Sequence, residues 1–190
     1  GDTQVVTAAL LGHKADLAVM LLCTDQWHLR RVQTALVDAG LDLVDSYVSM
    51  TELSEYAQGL PEAMAQARLY PQLPPEGKPA WCFYPMSKRR EPGQNWFTLP
   101  YDEREALMRE HGSTGRGFAG RILQLITGSA GVDDYEWGVT LFAQHPDDLK
   151  EVVYKMRFDH ASAVYAEFGP FVTGVVGTVD EVLDAAGVAR

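Results

Sequence analysis

Residues 69–86 read LYPQLPPEGKPAWCFYPM. Four prolines and a glycine in Leu69–Pro79 exclude a regular element there, because proline lacks an N–H and locks its own φ while glycine frees it. The apolar, aromatic-rich run that follows, Ala80–Met86, reads as a buried strand. A linker thus divides the chain, and a strand opens its second part.

From that strand onward the elements come in a recognisable order. Asp102–Glu110 reads as a helix, with Asp102 as cap, Glu105 three residues on and Gly112 as its stop. Arg121–Thr127 and Glu136–Ala143 read as strands joined by the turn GSAGVDD. Pro146–Phe168 reads as one long helix, with Pro146, Asp147 and Asp148 at its start and Gly169-Pro170 at its end. Phe171–Val175 is a last strand. The series is β-α-β-β-α-β, the split ferredoxin-like unit. Upstream, Asp16–Thr24 reads as a buried strand, Asp25–Ala39 as a helix stopped by Gly40, Leu43–Ser49 as a strand and Pro61–Ala67 as a weak helix. That is β-α-β, as though a first strand and helix were missing. The expected architecture is α+β: two ferredoxin-like repeats, the first truncated at its N-terminus. The expected divisions are 1–68, a linker at 69–79, a second half at 80–176 and a short acidic tail at 177–190.

The 190 residues carry a net charge of −10, with 46% hydrophobic and 22% charged side chains, the balance of a globular domain. Such acidity argues against general nucleic-acid binding, which needs a broad basic face; a local basic patch suits a small anionic ligand. No apolar stretch is long enough for a membrane span, since VTAALLGHKADLAVMLLC is broken by His13, Lys14 and Asp16. The N-terminus lacks the layout of a signal peptide. Two cysteines, Cys23 and Cys82, lie in apolar runs and suit a reducing cytoplasm.

Several residues stand out chemically, each with two readings. His111 shares a helix face with Leu107 and Met108. It is either a histidine favoured at the negative end of a helix or a lone axial ligand to a metal or haem iron; His13, His28, His145 and His160 form no cluster with it. Tyr84, just before Pro85, is either a strand-edge tyrosine or a phenol beside a cofactor. Ser87-Lys88-Arg89-Arg90 is either a solvated turn or a partner for carboxylates or phosphates. HGSTGRGFAGR (His111–Arg121) lacks the order of a phosphate loop and follows a helix; it reads as a close-packed loop presenting Arg116 to an anion. Gln124, 13 residues after His111 on the next strand, needs a hydrogen-bond partner if buried.

Five motifs, FYPMSKRR, NWFTLPYDERE, REHGSTGRGFAGRILQLITGS, DDYEWGVTLFA and MRFDHASAVYAEFGPFVTG, occur in this order. Together they resemble the bacterial coproheme decarboxylases, the peroxide-dependent haem synthases of the chlorite dismutase superfamily. The resemblance runs from about Gly12 to Gly174. It implies a dimeric α+β barrel subunit built of two ferredoxin-like halves, the second holding the porphyrin, and a ring of five subunits. The implied reaction converts iron coproporphyrin III (coproheme) to haem b, turning two propionates into vinyl groups with hydrogen peroxide as oxidant, so that coproheme is both substrate and cofactor. A ferrochelatase is the implied upstream partner.

The resemblance also implies roles. His111 matches the proximal iron ligand, and Tyr84 the tyrosine that becomes a radical. Met86 and Lys88 fall at positions lining the reactive propionates; Arg68, Arg116 and Ser162 match propionate partners, with Tyr47 and Ser49 assisting. Gln124 stands where chlorite dismutases carry arginine, and no histidine lies between His28 and His111 to serve as a distal base. Phe97 replaces a common tyrosine and His160 a common acid. The competing expectations are a chlorite dismutase or other peroxidase-like haem enzyme, and a non-enzymatic haem carrier or sensor.

Overall fold

A computed structural model describes residues 3–188. The second half holds the strands β4 (Ala80–Lys88), β7 (Ile122–Gly128), β8 (Trp137–Ala143) and β10 (Val172–Gly177), and the helices α3 (Tyr101–Arg116) and α4 (Pro146–Met156). The strands lie side by side in the order β10-β4-β8-β7, all antiparallel. Numbered within the repeat this is 4-1-3-2, the arrangement of a complete ferredoxin-like unit.

The first half contributes β1 (Gln4–Leu10), β2 (Leu17–Leu22), α1 (Gln26–Asp38) and β3 (Met50–Thr51). Strand β1 escaped the sequence reading, so the half is β-β-α-β; it pairs with both β2 and β10, while β3 pairs with β7. The result is one curled antiparallel sheet running β2-β1-β10-β4-β8-β7-β3. Its two edge strands, β2 and β3, both belong to the first half. The segment Leu43–Ser49 is not a strand; only Met50 and Thr51 pair.

Two helices also differ from expectation. Helix α3 does not stop at Gly112 but runs on to Arg116, because it packs on α4 and α5, and such packing overrides the low helix propensity of glycine. His111 is therefore inside the helix and the glycine-rich stretch is not a loop up to Arg116. The long helix expected over 146–168 is broken. Helix α4 ends at Met156, Asp159 takes an extended conformation and caps the short α5 (His160–Ala163) by accepting from the Ser162 N–H, and β9 (Ala166–Phe168) then joins β4. A side chain that caps cannot sit within a continuous helix. Between the two halves, α2 (Glu62–Leu69) precedes the proline-rich segment and buries none of its residues. The tail folds as α6 (Val179–Ala185), which carries a capping box and buries Val182 against β1 and β10.

Strand parity sorts the core. On β4, Ala80, Cys82 and Tyr84 join Val139, Leu141, Leu149 and Val152 in a cluster beneath α4, whereas Trp81 joins Val6, Ala8 and Phe142 inside the curl of the sheet. Trp96, Ala161 and Tyr165 form a third cluster with Leu107 and Met108 of α3.

Candidate functional site

The face beneath the helices can be read in rows across β7, β8 and β4. Gln124 lies beside Leu141 and Cys82, Ile126 beside Val139 and Tyr84, and Gly128 beside Trp137 and Met86. Helix α4 covers the β4 and β8 part of this face, but α3 packs on α4 and α5. The β7 part is therefore open: Gln124 is exposed and Ile126 is 43% exposed. The candidate cleft is the space between α3, which carries His111, and the sheet face that carries Gln124, Ile126, Tyr84 and Met86.

His111 is held firmly on one side. Its Nδ1 is 2.9 Å from Oδ2 of Asp159 and 3.3 Å from the Ser162 hydroxyl. Asp159 is 4% exposed and also accepts from the Ser162 amide. Burial pushes the Asp159 carboxyl up, but the hydrogen bond and charge of His111 and the hydrogen bonds of Ser162 outweigh it and hold the carboxyl below its usual range. A buried carboxylate facing Nδ1 makes that nitrogen the proton-bearing one and leaves the Nε2 lone pair free. Nε2 has no hydrogen-bond partner among the described residues. An imidazole oriented by a carboxylate at Nδ1, with Nε2 unpartnered, is the donor expected of an axial ligand to iron. No group of three or more His, Cys, Asp or Glu able to hold a metal ion occurs among the described residues, so a single-ligand mode fits the donor set and a zinc-type site does not.

Tyr84 faces the cleft's floor. The residue is 6% exposed; its ring stacks on Phe171 at 4.3 Å and meets Phe168 edge-on at 5.7 Å. Burial pushes its phenol above the usual range, so it is a neutral O–H at working pH. The hydroxyl has no hydrogen-bond partner among the described residues and is not among their fully enclosed, unpartnered polar atoms.

Lys88 differs from the expectation of a propionate partner. It is 7% exposed; its Nζ donates to the Ala161 carbonyl at 2.7 Å and lies 4.5 Å from the Trp96 ring centre. It thus supports the α5 turn that carries Asp159 and Ser162 rather than reaching into the cleft. Burial lowers its pKa to about 8, with Asp159 opposing. Between about pH 8 and its unfolded value of roughly 10.4 the unfolded chain binds more protons, so this group makes stability rise with pH. Lys88→Met is expected to flatten that slope in denaturant titrations. It should cost on the order of 1–3 kcal/mol by leaving the Ala161 carbonyl without its donor, with porphyrin affinity changed less than about threefold.

The remaining basic residues divide. Arg90 pairs with Glu136 and lies over Phe97 at 4.3 Å, and Arg89 donates to Gln94; both hold the hairpin β5 (Arg90–Glu91) and β6 (Gln94–Asn95). Phe97 is thus a surface platform for Arg90. Arg116 is exposed, five residues beyond His111 and one turn beyond Gly112, and Arg68 is exposed on α2; neither has an ion-pair or hydrogen-bond partner among the described residues. Nothing in the structure ties Arg68 to the cluster.

Tyr47 and Ser49 lie on the opposite side of the sheet from Tyr84. The Tyr47 hydroxyl bonds Ser129 and its ring meets Phe83, while Ser49 bonds Thr127 at 2.7 Å. Phe83 faces the inside of the curl, opposite Tyr84. One residue of register exchanges the faces of a strand, and the residues of this segment that share the cleft face are Met50 and, beyond it, Glu52. Asp159 is the site residue that sequence reasoning missed. Its signal was the Asp-x-x-Ser capping spacing inside RFDHAS, which a continuous helix would have hidden.

The family model for chlorite dismutase matches residues 1–177. The chain belongs to the chlorite dismutase family. It is 45% identical over 179 residues to the coproheme decarboxylase of Staphylococcus carnosus, covering 88% of this chain and 70% of that one. A Natronomonas pharaonis protein named "Putative heme-binding protein NP_2262A" is also 45% identical, over 183 residues; the match takes in 87% of this chain but spans only 30% of that protein's length. Among solved structures, a heme-binding protein of Thermus thermophilus superposes with a TM-score of 0.90 at 38% identity, over 98% of this chain and 77% of that one. A chlorite dismutase variant of Candidatus Nitrospira defluvii gives a TM-score of 0.76 at 21% identity, over 97% of this chain and 78% of that one, a likeness of fold. The family fold and the split 4-1-3-2 order therefore agree.

Proposed function

We propose that this family member is a coproheme decarboxylase, converting iron coproporphyrin III to haem b with hydrogen peroxide. What supports it is a carboxylate-oriented His111 on α3 together with a neutral, unpartnered Tyr84 phenol on the sheet face of the candidate cleft. The relative of 45% identity named coproheme decarboxylase supports the same reading. When bound, the iron porphyrin supplies the oxidising power of peroxide beside the phenol. His111 offers Nε2 to the metal while Asp159 keeps the proton on Nδ1. Arg116 and Arg68 are the proposed two-pronged donors to propionates. Tyr84 would give up its phenolic hydrogen atom and take one back from the propionate side chain; with a second electron lost to the oxidant, that side chain releases carbon dioxide and its other two carbons stay on the ring as a vinyl group. Per propionate, one peroxide and one proton are consumed and two waters form. Gln124 holds the open wall without adding charge.

Gln124 also separates this reading from a chlorite dismutase, where an arginine is expected at that strand position; a haem carrier would have no use for an unpartnered phenol. The expected ring of subunits, a cytoplasmic site of action and delivery of coproheme by a ferrochelatase belong to the same proposal. No helix among the described residues is long and apolar enough to cross a membrane. The test is to add peroxide to the coproheme complex and follow porphyrin mass. Loss of two formic-acid equivalents is the expected result; oxygen release from chlorite with no change in porphyrin mass would overturn it.

A further inference from the structure

Glu52 lies just after β3, on the strand parity of Met50, which pairs with Gly128. A Cβ built on Gly128 would run into the carboxyl group of Glu52. The carboxylate is thus laid over the one residue of β7 that has no side chain, at the end of the wall that carries Gln124 and Ile126. It is exposed, and it has no ion-pair or hydrogen-bond partner among the described residues. Strand β3 pairs only with β7, whose facing residues Thr127 and Gly128 are uncharged, and the next carboxylate along the chain, Glu55, is already held by Arg104 at 2.9 Å.

Met86 and Trp137 lie in the row of Gly128, directly beside the row of Tyr84. Among the described residues an unpaired carboxylate thus stands at the β3 end of the wall, and the unpaired guanidinium of Arg116 at the C-terminal end of α3. A disc with carboxylates on its rim is repelled from the first and drawn to the second. We infer that Glu52 is a specificity-determining residue of the porphyrin site, a fixed negative charge that disfavours a carboxylate at the β3 end and so sets the orientation of a polycarboxylate porphyrin. Gly128 is what lets the carboxylate lie against the wall. The inference rests on the proposed function, because it takes the ligand to be a porphyrin with rim carboxylates.

The test is the ratio of dissociation constants for coproheme, with four carboxylates, and haem b, with two, read by optical titration without peroxide. Glu52→Gln is expected to tighten coproheme relative to haem b by about three- to fivefold at low salt, with the difference shrinking as salt screens it. Gly128→Ala should move the ratio the same way, since the atoms it displaces are the far end of a flexible side chain. An unchanged ratio in both variants would overturn the inference, as would a Glu52→Gln variant that weakens coproheme more than haem b, which would make Glu52 a hydrogen-bonding partner of a propionate. A wild-type protein that binds neither porphyrin would instead remove the functional reading beneath it.

Discussion

Replacing Tyr84 by Phe is expected to leave coproheme bound within about a factor of three and to slow decarboxylation by on the order of a hundredfold or more. The two halves of that expectation have separate causes. The ring stacks on Phe171 at 4.3 Å and meets Phe168 at 5.7 Å, and Phe keeps both contacts. The hydroxyl donates to no described residue, so removing it strands no partner, and stability should change by less than about 1 kcal/mol. What is lost is the one O–H on this wall able to yield a hydrogen atom. The measurement is single-turnover mass analysis of the porphyrin after peroxide, beside an optical binding titration. Turnover equal to wild type would remove Tyr84 from the reaction.

The second large effect belongs to Asp159. Asp159→Asn should weaken coproheme binding roughly 10- to 100-fold, and His111→Ala should abolish the axial Fe–N signature altogether. An amide can still accept from Nδ1, but it carries no charge to raise the basicity of Nε2. Resonance Raman of the ferrous complex should place the Fe–His stretch of Asp159→Asn below that of the wild type. An unmoved stretch would show that the carboxylate does not act through the imidazole. The pH dependence has a definite sign. The folded Asp159 carboxyl is held below its usual range, so its contribution is fully present above the unfolded value of roughly 3.9 and is lost as pH falls through the folded one. Asp159→Asn should remove that part of the acid transition.

Asp159 also shows where the chain's linear order stops informing. It lies 48 residues from His111 and inside a stretch whose apolar spacing suggests an unbroken helix. Only the fold brings α5 under α3 and turns the aspartate inward as a cap. Lys88 is a case of the opposite kind. Its place two turns of pleat beyond Tyr84 suggested a shared ligand, yet the end of β4 runs past the cleft and its ammonium turns back to the Ala161 carbonyl over Trp96.

From composition, breaks and periodicity the sequence determined two halves, a complete β-α-β-β-α-β unit in the second, and the elements that carry Tyr84, His111 and Gln124. These are local properties: a proline-rich linker, an aromatic strand, a helix and the strand after it each declare themselves within about ten residues. Tertiary structure decided which side chains share a cleft. Strand β1 acquired its place by pairing with β10, about 170 residues away in the chain (Thr7 with Gly177). Tyr47 and Ser49 faced the inside of the curl while Met50 and Glu52 faced the site, because β3 is too short for its parity to be read until it pairs with β7. Helix α3 outran its glycines because α4 and α5 hold it. A period of two or 3.6 residues says that a face exists; only packing against distant segments says which face is the site.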